Sequence, residues 1–300
     1  MQALYQRHAA RKLPAWRSIH FVPANVPRFI EKASSLEADA IQVDLEDSVP
    51  ETEKASARAA LRATVAAVGS GGADVLVRVN RPLSLAVRDI EAAVHAGVAA
   101  LTITKVDGPA HVRLIDELVS ECEYRERLEP GHTSLVVVIE TADAFERMKS
   151  IAQASPRVVA MMLGSEDFAL GCESEPTEQA LLMPKQQMII AARAAGVLPL
   201  GYIGTIADFR DPQAFGEMVR RSRQFGFSGG TSIHPSQIAV LNSEFGPRPD
   251  EVAHARRVLD AYARAQAEGR GACQLDGRMI DAPVVERARR VMARFSALKK

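Results

Sequence analysis

Cysteine is scarce in this chain: Cys122, Cys172 and Cys273 are the only three in 300 residues. Odd in number and widely spaced, they suit neither a disulfide framework nor a zinc site, and the simple reading is a reducing cytoplasm. Aromatic residues make up only 5% of the sequence, while alanine and valine are abundant, a balance that suits helices packed closely on a parallel sheet. Net charge is also missing, with 37 basic residues against 37 acidic ones. No global attraction to nucleic acid or to an anionic membrane follows. Long hydrophobic runs are absent as well; stretches such as 135–139 and 158–163 are strand-sized and far too short to span a bilayer. There is no repeat at solenoid spacing and no low-complexity segment. What remains, 47% hydrophobic and 25% charged, is ordinary globular composition with enough apolar material for a large core.

Short apolar runs alternate with longer helical patterns, the sequence sign of repeated βα units. Strands are predicted at 19–22, 40–44, 75–80, 101–104, 135–139, 158–163, 200–203 and 231–233, with helices over 27–37, 51–68, 85–96, 109–128, 142–154, 178–195 and 212–225. Proline in the first turn marks the starts at Pro27, Pro109 and Pro212. Eight such units favour closure into a (β/α)8 TIM barrel. An open doubly wound sheet is disfavoured because no Gly-x-Gly-x-x-Gly follows the first strand. Residues 1–245 form the barrel in this reading. Residues 246–300 form a C-terminal helical extension, helical over 251–268 and 283–298 with a Gly-rich break at 269–277, which packs as an extension or reaches another subunit to cover its site. The first 17 residues carry Arg7, Arg11, Lys12 and Arg17 and no acid. A solvated tail, a targeting peptide and a phosphate-binding arm all have that bias.

Function in a barrel collects at the C-terminal ends of the strands, and charge is dense there. The second strand ends in Asp44-Leu45-Glu46-Asp47, the third carries Arg78 and Asn80, the fourth runs into Lys105, the fifth delivers Glu140, the sixth leads to Glu166-Asp167 and the eighth to His234. Each of Glu140 and Asp167 could simply face the positive end of the helix that follows. Together, on adjacent strands, they make two hard oxygen ligands without His or Cys beside them, which suits Mg2+, an ion that keeps waters and leaves positions for substrate oxygens. Arg78 sits in an apolar strand and needs an anion: either the Asp44–Asp47 cluster, in a structural ion pair, or a substrate carboxylate in a bidentate clamp. Lys105 could form a Schiff base, although a metal pair already answers the need for carbanion stabilisation. His234 could be a base or ligand, or a packed histidine.

A series of segments then acquires a common meaning. Arg17-Ser-Ile-His-Phe-Val-Pro23, Pro27-Arg-Phe-Ile-Glu-Lys-Ala33, Ala38-Asp-Ala-Ile-Gln-Val-Asp-Leu-Glu-Asp47 and Val77-Arg-Val-Asn80 resemble, in order, the citrate lyase beta subunit and malyl-CoA lyase family of the HpcH/HpaI aldolase superfamily. So do Ile139-Glu-Thr-Ala142, Leu163-Gly-Ser-Glu-Asp167, Asp208-Phe-Arg-Asp211, Gly226-Phe227, Ile233-His-Pro-Ser-Gln237 and Gly277-Arg-Met-Ile-Asp-Ala-Pro283. The resemblance implies a TIM barrel, trimeric or hexameric, with Mg2+ (or Mn2+) held by Glu140 and Asp167. It implies Arg78 on the oxo or hydroxy acid, coenzyme A across the strand mouths with Arg17 and Arg28 toward its phosphates, and Asp281 completing a neighbouring subunit's site. Glu46 and Asp47 join Arg78 and Asp281 as catalytic candidates. The implied reaction is a retro-Claisen cleavage of a hydroxy-acyl thioester (citramalyl-, malyl- or citryl-type) to acetyl-CoA and a small 2-oxo acid. Two departures stand out: Ala24-Asn25 where the family often has Gly-Asp or Gly-Ser, and Ile103-Thr104-Lys105 where it often has Leu-Pro-Lys. A metal-dependent aldolase acting on free pyruvate, or a silent acyl-CoA-binding subunit of a lyase complex, would share part of this pattern. The C-terminal extension argues against the first, and intact Glu140, Asp167 and Arg78 against the second.

Overall fold

A computed structural model of the chain describes residues 13–204 and 211–298. The basic residues Arg7, Arg11 and Lys12, and the Asp208–Arg210 part of one family-like segment, lie outside them. Two compact units appear, residues 1–241 and 242–300.

In the first unit eight strands pair in parallel: β1 (Ser18–Pro23), β2 (Ala40–Asp44), β3 (Asp74–Val79), β4 (Ala100–Ile103), β5 (Ser134–Ile139), β6 (Val158–Leu163), β7 (Leu198–Leu200) and β8 (Gly230–Ser232). Their spatial order is β7-β6-β5-β4-β3-β2-β1-β8. The ring closes where Leu200 bridges Gly229, through Ser228 N–H to Pro199 O and Gly201 N–H to Gly229 O, each 2.9 Å. A closed parallel ring excludes the open doubly wound sheet. Pro27, Pro109 and Pro212 open helices Pro27–Ala33, Pro109–Glu126 and Pro212–Phe225, where a missing N–H costs nothing.

The two-residue period of the strands sorts the interior into layers. The lowest layer is apolar: Ile19, Ala40, Leu76, Ala100, Val136 and Ala160 pack together with Trp16, whose indole N–H donates to Asp74 at 2.7 Å. Truncating a residue such as the fully buried Leu76 to alanine would cost about 2–5 kcal/mol. One step up, the same strands present Phe21, Gln42, Arg78, Thr102, Val138 and Met162, and these line a cavity. Another step brings Asp44, Thr104, Glu140 and Gly164 to the strand mouths. Charges at the opposite, N-terminal face are spent on structure. Arg157, ahead of β6, pairs with Asp116 at 2.6 Å and Glu123 at 2.7 Å.

Several helices differ from expectation. The predicted helix 51–68 is a 3-10 turn (Glu51–Glu53) followed by helices Lys54–Ala59 and Leu61–Gly69. The buried ammonium of Lys54, held by Leu45 O, Glu46 O and Asn80 Oδ1 at 2.6–3.1 Å, ties the start of this stretch to the mouths of β2 and β3. The predicted helix 142–154 breaks at Arg147, whose φ of −110° and ψ of 10° leave the helical region.

In the second unit, helices Pro249–Ala267 and Ala282–Ala297 enclose a small core of Ala255, Val258, Ile280, Val285 and Ala288. The Gly-rich break holds an antiparallel hairpin, β9 (Cys273–Leu275) with β10 (Arg278–Ile280). Its turn residues Asp276 and Gly277 have φ of 52° and 75°, the left-handed pair of a two-residue hairpin loop. Among the described residues no helix is long and apolar enough to cross a membrane.

Candidate active site

The cavity at the strand mouths occupies about 340 Å3, and Arg78, Glu140, Asp167 and Asp47 are in its wall. Glu140 follows the last residue of β5. The helix beyond it is capped by Thr141, whose side chain accepts the Ala144 N–H at 3.1 Å, so the Glu140 carboxylate is not needed there. It turns inward instead, 6% exposed, and accepts the backbone N–H of Lys105 across the barrel wall. Burial is the main reason its pKa rises to about 7; nearby Glu46 and Asp167 push it the same way, against Lys105. Room for this carboxylate depends on Gly164 after β6, where an added Cβ would lie 2.5 Å from Glu140 Cγ and 2.8 Å from Oε1. Asp167 is half-buried in the first turn of helix Ser165–Gly171, so for it the helix-end role coexists with a place in the cavity wall.

Arg78 is less available than a substrate clamp would require. Its Nε and Nη2 donate to the two oxygens of Asp44, each at 2.7 Å, closing the planar fork on a partner that is itself buried. The guanidinium stacks over the Phe21 ring at 5.2 Å, and Asp47 is a looser partner at 3.7 Å. Burial alone would lower the arginine's pKa, but the Asp44 hydrogen bonds and the charges of Asp44, Glu46 and Asp47 outweigh it and raise it. For Asp44, burial works to raise the pKa and loses to the hydrogen bonds and charge of Arg78, so it falls. The ion pair left open by the sequence is therefore present, and only the Nη1–Nη2 edge lies outside the Asp44 fork.

Glu46 bridges the two cations. Oε1 takes the Lys105 ammonium at 2.9 Å, and Oε2 lies 2.9 Å from Arg78 Nη1. That second contact has the distance of a hydrogen bond but not its angles, so Oε2 is buried with no donor among the described residues. Lys105, held in the left-handed region at φ 47°, is thus an ion-pair partner. The hydrogen bond to Glu46 raises its pKa in spite of partial burial, which is the wrong direction for a Schiff-base amine.

Several expected residues lie elsewhere. Arg17 precedes β1 at the N-terminal face, opposite the mouths, and its guanidinium and backbone N–H are engaged by Asp39 at 2.6–2.9 Å. Arg17, expected to contact coenzyme A, is thus already paired at that face. Arg28 is at the mouth end, exposed in the first turn after β1. His234 is exposed, with Nδ1 2.8 Å from Ser236 Oγ. Asp281 caps helix Ala282–Ala297 by accepting the Val284 N–H at 3.3 Å. Ala24 is buried and donates its N–H to Asp44 O at 3.0 Å.

Two cavity residues escaped the sequence reading. Gln42 is the inward polar residue of the otherwise apolar run Ala40–Val43, and Lys185 lies on the buried stripe Leu181–Lys185–Met188–Ala192 of helix Glu178–Ala195. A polar or charged residue on an apolar face was the available signal for both. Burial pulls the Lys185 pKa down to about 8, with Glu178 and Glu166 opposing.

An oxygen-coordinated divalent cation fits this site. Five carboxylates (Asp44, Glu46, Asp47, Glu140 and Asp167) share this end of the barrel with three cations, Arg78, Lys105 and Lys185. Among the described residues the buried Glu46 Oε2 lacks a donor, and Gly164 keeps space at Glu140. Among the described residues no three His, Cys, Asp or Glu side chains form a ready metal cage.

Comparisons with known proteins agree. The family model described as HpcH/HpaI aldolase/citrate lyase matches residues 17–235. The citrate lyase subunit beta of Escherichia coli (strain K12) is 34% identical over 287 residues, covering 95% of this chain and 94% of that protein. The mitochondrial citramalyl-CoA lyase of Rattus norvegicus is 30% identical over 299 residues, covering 95% and 87%. Among solved structures, the protein CitE from Mycobacterium tuberculosis in complex with magnesium, acetoacetate and coenzyme A superposes with a TM-score of 0.74 at 29% identity, covering 94% of this chain and 98% of that one. With a closed barrel, a mouth rich in carboxylates and family-wide similarity along nearly its whole length, this chain belongs to the HpcH/HpaI aldolase/citrate lyase family.

Proposed function

We propose that the protein is a Mg2+-dependent carbon–carbon lyase that cleaves a 3-hydroxy-3-carboxyacyl-CoA thioester to acetyl-CoA and a 2-oxo acid. The observation that carries this reading is the excess of carboxylate over cation in a buried cavity, a charge state that a divalent ion relieves. The relatives named above, and a structural neighbour that holds magnesium and coenzyme A, support it.

Glu140 and Asp167 would hold the ion. When bound, it supplies Lewis-acid stabilisation of the negative charge that grows on the substrate's hydroxyl oxygen. Lys105 N–H fixes one oxygen of Glu140, and Gly164 leaves it room. The open edge of Arg78 meets the substrate's carboxylate, with Asp44 and Phe21 holding the guanidinium plane. Glu46 ties Arg78 to Lys105 and so keeps both cations at the mouth. In the cleavage the hydroxyl gives its proton to the acid–base group Asp281 and becomes the carbonyl of the 2-oxo acid. The electron pair of the broken C–C bond passes to the thioester α-carbon, and the resulting enolate takes up a proton to give acetyl-CoA. Asp281, delivered from a neighbouring copy in a homo-oligomer, serves as the acid–base group for that proton. Exposed Arg28 at the mouth end meets a coenzyme A phosphate. The test is turnover of acyl-CoA substrates by the purified protein with Mg2+, in Glu140→Gln and Asp167→Asn variants that remain folded; full activity in either would remove the metal pair from the mechanism.

A further inference from the structure

Among the described residues, Lys185 is the one cation lining this cavity with no carboxylate in contact with it, Glu178 and Glu166 acting on it only from a distance. Its side chain is 4% exposed and lines the same space as Glu140 and Asp167. The ammonium donates to two backbone carbonyls, Ile203 O at 3.3 Å and Gly204 O at 3.0 Å. Among the described residues no carboxylate lies within ion-pair distance of it, and one of its three N–H donors has no acceptor. The other buried lysine, Lys54, spends its donors on three oxygens; Lys105 has Glu46. A buried charge left without a counter-ion is costly, so its retention in a ligand cavity points to an anion that arrives with the ligand.

A second unspent group shares the wall. Thr102 Oγ1 meets one end of the Gln42 side-chain amide at 2.6 Å, and the other end, Nε2, is buried with no partner among the described residues. If the amide is turned over, the oxygen is stranded instead; either way one end is buried without a protein partner among the described residues. Arg78, by contrast, has its fork committed to Asp44.

We propose that Lys185, with Gln42, determines acid specificity by reading a second anionic group, a carboxylate beyond the one that lies at Arg78 and the metal pair. The acid fragment is then a dicarboxylate, and Lys185 rejects its methyl or hydrogen counterparts by being left buried and unpaired when they bind. This rests on the lyase reading above and narrows its substrate class.

The test compares L-malate with L-lactate, stable hydroxy acids that share the chelating carboxylate and hydroxyl and differ in the second carboxylate. Affinities are measured by calorimetry on the full chain in saturating Mg2+. The wild type is expected to favour malate at least tenfold. In Lys185→Met the malate-to-lactate ratio is expected to fall to near one. Lys185→Arg is expected to keep part of the preference, and Gln42→Leu, which removes a stranded group and so should fold, to reduce it. A wild type that binds both acids equally, or a Lys185→Met protein that weakens both and preserves the ratio, overturns the subsite while leaving the metal reading intact. Binding of either acid that is unaffected by removing Mg2+ overturns the metal reading and the subsite with it.

Discussion

Gly164→Ala adds one methyl group to the protein and places it against the side chain on which metal binding is proposed to depend. The added Cβ would lie 2.5 Å from Glu140 Cγ, 2.8 Å from Oε1 and 3.0 Å from Cδ, contacts that real structures do not tolerate. The carboxylate has to move, and it is anchored on its other side by the Lys105 N–H. Moving it strains the strand mouth or breaks that hydrogen bond to a charged group. Either route costs about 1–3 kcal/mol, and at roughly 2–4 °C per kcal/mol for a unit of this size the melting temperature in chelator should drop measurably. Displacing a ligand's support typically weakens a metal site by about 10–100-fold. Mg2+ titration by calorimetry should show that loss, with Glu140→Gln as the limiting case. If Gly164→Ala melts lower yet binds Mg2+ as the wild type does, Glu140 either rearranges freely or is no ligand, and the reasoning fails.

Other outcomes follow from the same geometry. A Glu140 pKa near 7, above the ordinary 4.5, means the folded state holds a proton that the unfolded chain has released between those values. Its contribution to metal-free stability is therefore present below about pH 4.5 and lost by about pH 7, on the order of 3 kcal/mol at most. Glu140→Gln should accordingly gain on the wild type in chelator as pH rises through that window, and wild-type Mg2+ affinity should climb about tenfold per pH unit up to about pH 7; flat profiles in both would contradict the assignment. Arg78→Lys cannot hold both oxygens of Asp44, so kcat/KM should fall about 10–150-fold, equivalent to roughly 1.5–3 kcal/mol, with some loss of stability. Unfolding alone, with competent remaining sites, would mark Arg78 as purely structural. Asp281→Asn keeps the cap, since asparagine caps about as well, but should lower turnover by about 10²–10⁴. Mixing it with Glu140→Gln should restore part of the activity if Asp281 acts in a neighbouring copy. A fully active Asp281→Asn protein would leave the residue as a cap.

The barrel was legible because its signals are local. Eight apolar strands, prolines at three helix starts and the charged strand ends are all written within a few residues of where they act. The hairpin over Cys273–Ile280 was equally legible in principle, since Asp276-Gly277 between alternating residues is a two-residue turn signal, yet its surrounding glycines read as a break. What sequence order cannot express is which way a strand end faces and who is across from it. Arg17 carries the same charge as Arg28, but it comes before its strand and Arg28 after, so the two fall at opposite ends of the barrel. Arg78 reads in the sequence as needing an anion, either the Asp44–Asp47 cluster or a substrate carboxylate, and only the parallel register of Asp44 with Arg78 decides that the fork closes on a neighbour. Gln42 and Lys185 were hidden for a related reason. Each reads as one polar residue in an apolar stretch, and its significance comes from sharing a cavity with residues far away in the chain.

The central claim is tested most directly by incubating the purified protein with citramalyl-, malyl- and citryl-CoA and measuring acetyl-CoA and 2-oxo acid together. At least one thioester should be cleaved to equal amounts of both products, with activity abolished by a chelator and restored by Mg2+ or Mn2+. Undiminished cleavage in excess chelator, or cleavage of free acids with every thioester left intact, would contradict it.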